Sequence, residues 1–246
     1  MKPSIALIAM VFVALMPVSL QAADPSVSLD RAPVDVTDQA SLQRGAQLFF
    51  NYCVGCHSAE YMRYNRLGRD LGLTENQVAQ SLIFTTDEQG EPVGVGSLIT
   101  NAMTPVYAEE AFGVAPPDLT LVSRVRGKDW LYTFLRSFYL DDSRPLGVNN
   151  AVYENVGMPN PLWELQGWQE KQVDADGETR LQVIEAGSMS GPEYDRAIRD
   201  LVTFLVYLGE PMQIERQRLG MYVLGFLLVF LVLAYLLKKE YWKDVH

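Results

Sequence analysis

Cysteine and histidine are scarce: two of each in 246 residues. Two cysteines are too few to staple a secreted disulfide scaffold. Two histidines leave little scope for a histidine-rich metal centre. Positive charge is short as well, with 20 Lys+Arg against 30 Asp+Glu and a net charge of −10. Phosphate backbones would be repelled, which argues against a nucleic-acid partner; the same balance suits a basic protein partner. Thirteen prolines and 18 glycines follow no period, so the chain is not collagen-like. With 48% hydrophobic and 20% charged residues, the composition is too apolar for a disordered protein. Length allows one large domain or two small ones, and no internal repeat is visible.

What is present is organised by two apolar runs. Residues 1–23 carry Lys2, an apolar stretch from Ile5 to Val18, and the small pair Ala22 and Ala23. This is the pattern of a cleaved secretory signal, and it predicts that the mature chain begins outside the cytoplasmic membrane. The second run, Leu219–Leu237, has no charge. As a helix rising about 1.5 Å per residue it is long enough to cross a hydrocarbon core of about 30 Å. Tyr222 and the pair Tyr241 and Trp242 stand near its ends, where amphipathic rings prefer to lie. The predicted organisation is therefore an external domain over 24–210, a linker over 211–218, a transmembrane helix over 219–237 and a cytoplasmic tail over 238–246.

Between the runs, periodicity predicts a mainly α domain. Residues 24–40 read as an extended polar arm. Ser41–Tyr52 reads as a helix with Ser41 as N-cap and Leu42, Gly45, Ala46 and Phe49 on one face. Further helices are expected near Thr74–Phe84, near Gly96–Met103, and over Leu119–Leu140 in two pieces around Gly127. The stretch from Trp163 to Glu185 reads as a hairpin turning at Asp176-Gly177. Glu193–Leu208 is the strongest helix, with Ala197, Ile198, Leu201, Val202, Leu205 and Leu208 on one face. Gly45 is expected where the first and last helices of the domain cross closely.

Residues 53–57 read Cys-Val-Gly-Cys-His, the attachment motif of a c-type haem. Two thiols three residues apart can reach both vinyl groups of one porphyrin, and the adjacent His57 is then placed as an axial iron ligand. A thiol–disulfide site leaves His57 unexplained and lacks its βαβ context. The other histidine, His246, lies on the far side of the membrane in this reading, so a second ligand must come from methionine. Met212 and Met221 are at or in the membrane, and Met62 is too near His57 to cross to the other haem face. Met103, Met158 and Met189 remain. Met158 is favoured because Val-Gly-Met-Pro-Asn-Pro is a stiff loop; the other two read as packing residues. His/Met ligation fills both axial positions and favours electron transfer over an open-iron sensor or peroxidase.

Four stretches carry a resemblance to the cytochrome c1 family, the haem subunit of the cytochrome bc1 complex. They are CVGCHSAEYMRYNRL, the run APPDLTLVSRVRG over 115–127, Gly-Met-Pro at 157–159, and the segment from Met189 through TFLVYLGEP into the membrane run. The resemblance implies a class I cytochrome c-like haem domain with long loop insertions, over roughly 85–115 and 141–157, plus one C-terminal transmembrane helix. It implies one covalent haem c, with Cys53 and Cys56 at the thioether positions and His57 and Met158 as the axial pair. Arg126 matches the arginine that faces a haem propionate, with Arg124 the nearby alternative. Pro116 and Pro117 match haem-edge prolines, or form a plain turn before a helix. The implied function is one-electron transfer from a Rieske iron–sulfur protein to a cytochrome c, with no bond chemistry of its own. The implied setting is a dimeric complex with cytochrome b in the bacterial cytoplasmic membrane, haem domain on the periplasmic side. An anchored monohaem subunit of a nitric oxide reductase or terminal oxidase is the alternative. Asp87/Glu88/Glu91, Glu109/Glu110 and Asp141/Asp142 are candidate acidic patches.

Overall fold

A computed structural model describes residues 28–87, 89–101, 103–173 and 179–244. The expected signal segment, the Asp176-Gly177 turn, Glu88 and His246 lie outside the described residues.

Two long helices form the frame of the head domain. Helix α1 spans Gln39–Tyr52. Its N-cap is Asp38, whose carboxylate accepts from the Ser41 backbone N–H at 3.0 Å. Ser41 was the expected cap, but its hydroxyl is drawn to Asp200 at 2.6 Å, so the helix starts earlier. The last head helix, α8, spans Gly191–Gly209. Glu193 accepts from the Ser190 backbone N–H at 2.9 Å, a reciprocal cap that fixes its start. Ile198, Leu201, Val202, Leu205 and Leu208 are buried on its inner face. α1 and α8 cross at Gly45, where a Cβ would stand 2.0 Å from the Asp200 carbonyl oxygen. Phe49 and Phe204 meet at the crossing with ring centroids 5.5 Å apart, both fully buried. Each such side chain contributes roughly 1.5–3 kcal/mol by leaving water.

Asp200 sits at this crossing, 3% exposed, and collects Ser41, Arg44 (2.5 Å) and Arg199 (2.8 Å). Burial alone would raise its pKa, but the hydrogen bonds from Arg44, Ser41 and Arg199 win and lower it. A buried carboxylate is tolerable only when paired in this way.

Between the two helices the chain makes short elements: β1 (Ala59–Arg63), α2 (Tyr64–Leu71), α3 (Glu75–Ser81), β2 (Leu98–Ile99), α4 (Pro105–Phe112), α5 (Val122–Val125), α6 (Lys128–Phe134), β3 (Phe138–Leu140), β4 (Val148–Asn150), α7 (Trp163–Gln166), β5 (Gly167–Val173) and β6 (Thr179–Ala186). The helix expected near Gly96–Met103 is instead strand β2, paired antiparallel with β1. Its Ile99, fully buried opposite Ala59, is held by tertiary packing rather than by helical period. The helix proper starts at Pro105, capped by Thr104. The two helical pieces around Gly127 are present as α5 and α6, but Phe138 falls in a strand paired with Asn150. The β5–β6 hairpin is present, preceded by the short helix α7. The described part of the N-terminal arm is extended along α6: the Asp30 N–H donates to Thr133 and the Ala32 N–H to Asp129. The architecture is mainly α, with three two-stranded sheets as loop insertions among the described residues.

Three residues after α8, helix α9 runs from Gln213 to Tyr241. It starts inside the stretch expected as a linker. Its 29 residues would reach about 43 Å at about 1.5 Å each. Its apolar window has a mean hydropathy of 2.5 and no buried residue. A helix apolar on all sides and covered by none of the described residues of its own chain has the character of a membrane span.

Candidate haem site

At the C-terminal end of α1 the chain turns tightly, the Cys56 and His57 N–H groups both donating to the Cys53 carbonyl at 3.1 and 2.8 Å. The Asn101 side chain donates to the Cys56 carbonyl, so the segment after β2 holds the turn from outside. The turn opens onto a cavity of about 420 Å³. Cys53, Cys56 and His57 line it, with Pro116 and Pro117 from the segment after α4, Arg126 and Trp130 around α6, Met158 and Pro159 from the loop before α7, and Leu201 and Leu205 from α8. Cys53, Cys56, His57, Pro116, Pro117, Arg126 and Met158 therefore line one cavity.

The chemistry of the lining fits a haem. Burial pushes the Cys53 thiol up to about 12, with the neighbouring Cys56 adding to the rise. That is the reverse of the low-pKa thiol that a disulfide exchanger requires. Burial also lowers the His57 pKa, against the opposing influence of Pro117 and Asp118. The Nδ1 of His57 lies 2.7 Å from the Pro117 carbonyl oxygen. A carbonyl can only accept, so Nδ1 carries the proton and Nε2 keeps a lone pair for a metal. Pro117 is thus more than a turn residue: its carbonyl sets the tautomer.

Among the described residues, Met158 lines the cavity and Met103 and Met189 do not. Met189 caps the α7 turn through its N–H to Leu165, and Met103 precedes α4 outside any helix. The Met158 loop is held by two buried asparagines. Asn149 Oδ1 accepts from the Asn155 N–H at 2.9 Å, and Asn150 Oδ1 from the Val152 and Tyr153 N–H groups at 2.9 and 3.2 Å. Asn155 itself has φ +60°, a turn conformation asparagine tolerates. Gly157 lets the loop pass 3.3 Å from the Phe112 carbonyl, measured from where a Cβ would be.

Arg126 and Arg124, equivalent by sequence, separate clearly. Arg124 pairs with Glu210 and does not line the cavity. Arg126 lies against Trp130 and Tyr153, 5.1 and 5.5 Å from the ring centroids, with no carboxylate partner among the described residues. A guanidinium stacked on two rings and short of an anion is suited to a carboxylate brought by a ligand.

Sequence reasoning missed Asn101, Asn149, Asn150, Tyr153 and Asp118. The Pro-Pro-Asp-Leu run was the available signal for Asp118, whose carboxylate ties Ser58, Glu60 and Thr120. Burial would raise its pKa, but those hydrogen bonds lower it. Of the acidic patches, Asp87 and Asp141 are occupied with their own turns, accepting from Glu91 and Ser143. Glu109 and Glu110 are exposed on α4, the helix whose Phe112 lines the cavity.

The sequence model described as the Cytochrome C1 family matches residues 30–245. The chain is 51% identical to the cytochrome c1 of Allochromatium vinosum, over 98% of this chain and 99% of that one. It is 46% identical to a protein of Nitrosomonas europaea named ammonia monooxygenase gamma subunit, over 94% and 95% of the two chains. It is 25% identical to the mitochondrial cytochrome c1 heme protein of Saccharomyces cerevisiae, over 87% of this chain and 70% of the relative.

Proposed function

The chain belongs to the cytochrome c1 family and is a membrane-anchored c-type cytochrome with one covalent haem c and no bond chemistry of its own; we propose that, in a bc1 complex, it takes one electron from a Rieske iron–sulfur protein and passes it to a cytochrome c. The observation that carries this reading is the CVGCH turn opening onto an apolar cavity that also holds Met158 and Arg126, an arginine with no carboxylate partner among the described residues.

When bound, the haem supplies a one-electron ferric/ferrous couple. The chain's residues hold and tune it. Cys53 and Cys56 would provide the thioether sulfurs, and His57 would offer Nε2 while Pro117 keeps its other nitrogen protonated. Met158, on a loop pinned by Asn149 and Asn150, would offer its thioether sulfur to the iron and so limit access by small oxidants. Arg126 would pair with a propionate, compensating a carboxylate held against low-dielectric surface. Leu201, Leu205 and Pro116 exclude water, which favours the less charged reduced state. The net charge of −10 suits a basic acceptor, speeding encounter more than tightening it.

The proposed setting is a dimeric complex with cytochrome b in a bacterial cytoplasmic membrane, the head domain on the periplasmic side and the signal segment removed. Purification of the native complex through this chain tests it. A haem-stained band should travel with a multi-span b-type cytochrome and a Rieske protein. Co-purification with ammonia monooxygenase subunits, a nitric oxide reductase or a copper oxidase instead would overturn the assignment.

A further inference from the structure

We propose that Asp118 is a positioning residue for the His57 ring: its carboxylate fastens the segment that follows His57 to the loop whose carbonyl holds that ring. Asp118 Oδ2 accepts from the Ser58 hydroxyl at 2.8 Å and from the Glu60 backbone N–H at 2.7 Å, both just past His57. Oδ1 accepts from the Thr120 N–H at 2.8 Å, on its own side of the joint. The Leu119 N–H donates to the Ser58 carbonyl at 2.9 Å, so main chain and side chain join the same two segments.

The aim of the Pro117 carbonyl follows from this. The ring of Pro117 fixes its φ, so the soft torsion left to direct the carbonyl is its ψ. That torsion lies between the proline ring and Asp118, and the clamp on Asp118 holds it. With the carbonyl fixed 2.7 Å from Nδ1, the imidazole can neither rotate about its Cβ–Cγ bond nor exchange tautomers without breaking the contact. A stronger acceptor at Nδ1 makes the imidazole a stronger donor at Nε2. Asp118 therefore acts through Pro117, without touching the ring. A carboxylate suits the task because one acidic side chain accepts from three donors at once, which no neutral side chain does.

This rests on His57 being an iron ligand, and the experiment separates the two claims. The mature full-length chain with haem attached is labelled with ¹⁵N-histidine and reduced. Exchange of the His57 Nδ1 proton with D₂O is then followed by NMR in wild type, Ser58→Ala and Asp118→Asn. Ser58→Ala removes one hydrogen bond and leaves the charge in place; Asp118→Asn turns an amide NH₂ toward backbone donors. Exchange should be about tenfold faster in each, the effect of losing one hydrogen bond to a carboxylate. If Asp118→Asn fails to acquire haem, Ser58→Ala decides. Exchange within about twofold of wild type overturns the positioning role, even if the potential rises, because Asp118 would then act only as a charge. A wild-type ring with no porphyrin-shifted resonances overturns ligation by His57 and the proposal together.

Discussion

Replacing Gly45 by alanine tests the packing on which the haem cavity depends. The new Cβ would stand 2.0 Å from the Asp200 carbonyl oxygen and 2.7 Å from Phe204 Cβ. Contacts under 3.0 Å do not persist, so the helices must part by about 1 Å, backbone against backbone. Overpacking of this kind costs about 3 kcal/mol. Parting also stretches the Ser41–Asp200 hydrogen bond of 2.6 Å, and a hydrogen bond to a buried charge contributes about 1.5 kcal/mol or more. Against this, alanine gains about 1 kcal/mol over glycine in a helix interior. The net loss is about 3 kcal/mol, which lowers the midpoint of thermal unfolding by roughly 6–12 °C in a chain of this size. The Soret band, followed during heating of the detergent-solubilised protein, reads the transition directly. A midpoint within about 2 °C of wild type, or above it, would refute the argument that the α1–α8 crossing has no room for a methyl group.

Two further outcomes follow from the same structure. Asp200→Asn should destabilise the head at neutral pH. Because the native carboxyl titrates below its unfolded value of about 3.9, the stability it brings is complete above that value and is lost as pH falls through the lower native one. The gap between wild type and variant in denaturant titrations should therefore hold down to about pH 4 and close below it; a gap that closes between pH 7 and 5 would contradict the assignment. Met158→Leu should keep the haem covalently attached but vacate one axial position, so the reduced protein binds carbon monoxide and its potential falls. An unchanged spectrum and potential would remove Met158 as the ligand.

Legibility followed range along the chain. CVGCH was readable because five adjacent residues carry the whole attachment chemistry, and α8 because its caps and apolar face are both local. Gly45 was readable because a glycine inside an amphipathic helix needs a reason. Ser41 was misassigned because the group that takes its hydroxyl, Asp200, is 159 residues away. Leu98–Ile99 could not be read as a strand, since two residues have no period and the pairing with β1 is tertiary. Among Met103, Met158 and Met189, spacing could only favour one; which of them reaches the cavity depends on how Asn149 and Asn150 fold the loop. Arg124 and Arg126 differ only in what they meet, Glu210 in one case and two aromatic rings in the other.

Glu210 has a mechanical consequence. It stands in the short joint between α8 and α9 and pairs at once with Arg124 of the head and Arg216 of the anchor, while Gly209 lies hard against Ser123. Such a joint is tied to both sides through one carboxylate. In the proposed setting, the height of the haem cavity above the lipid would be set by this short, doubly paired joint.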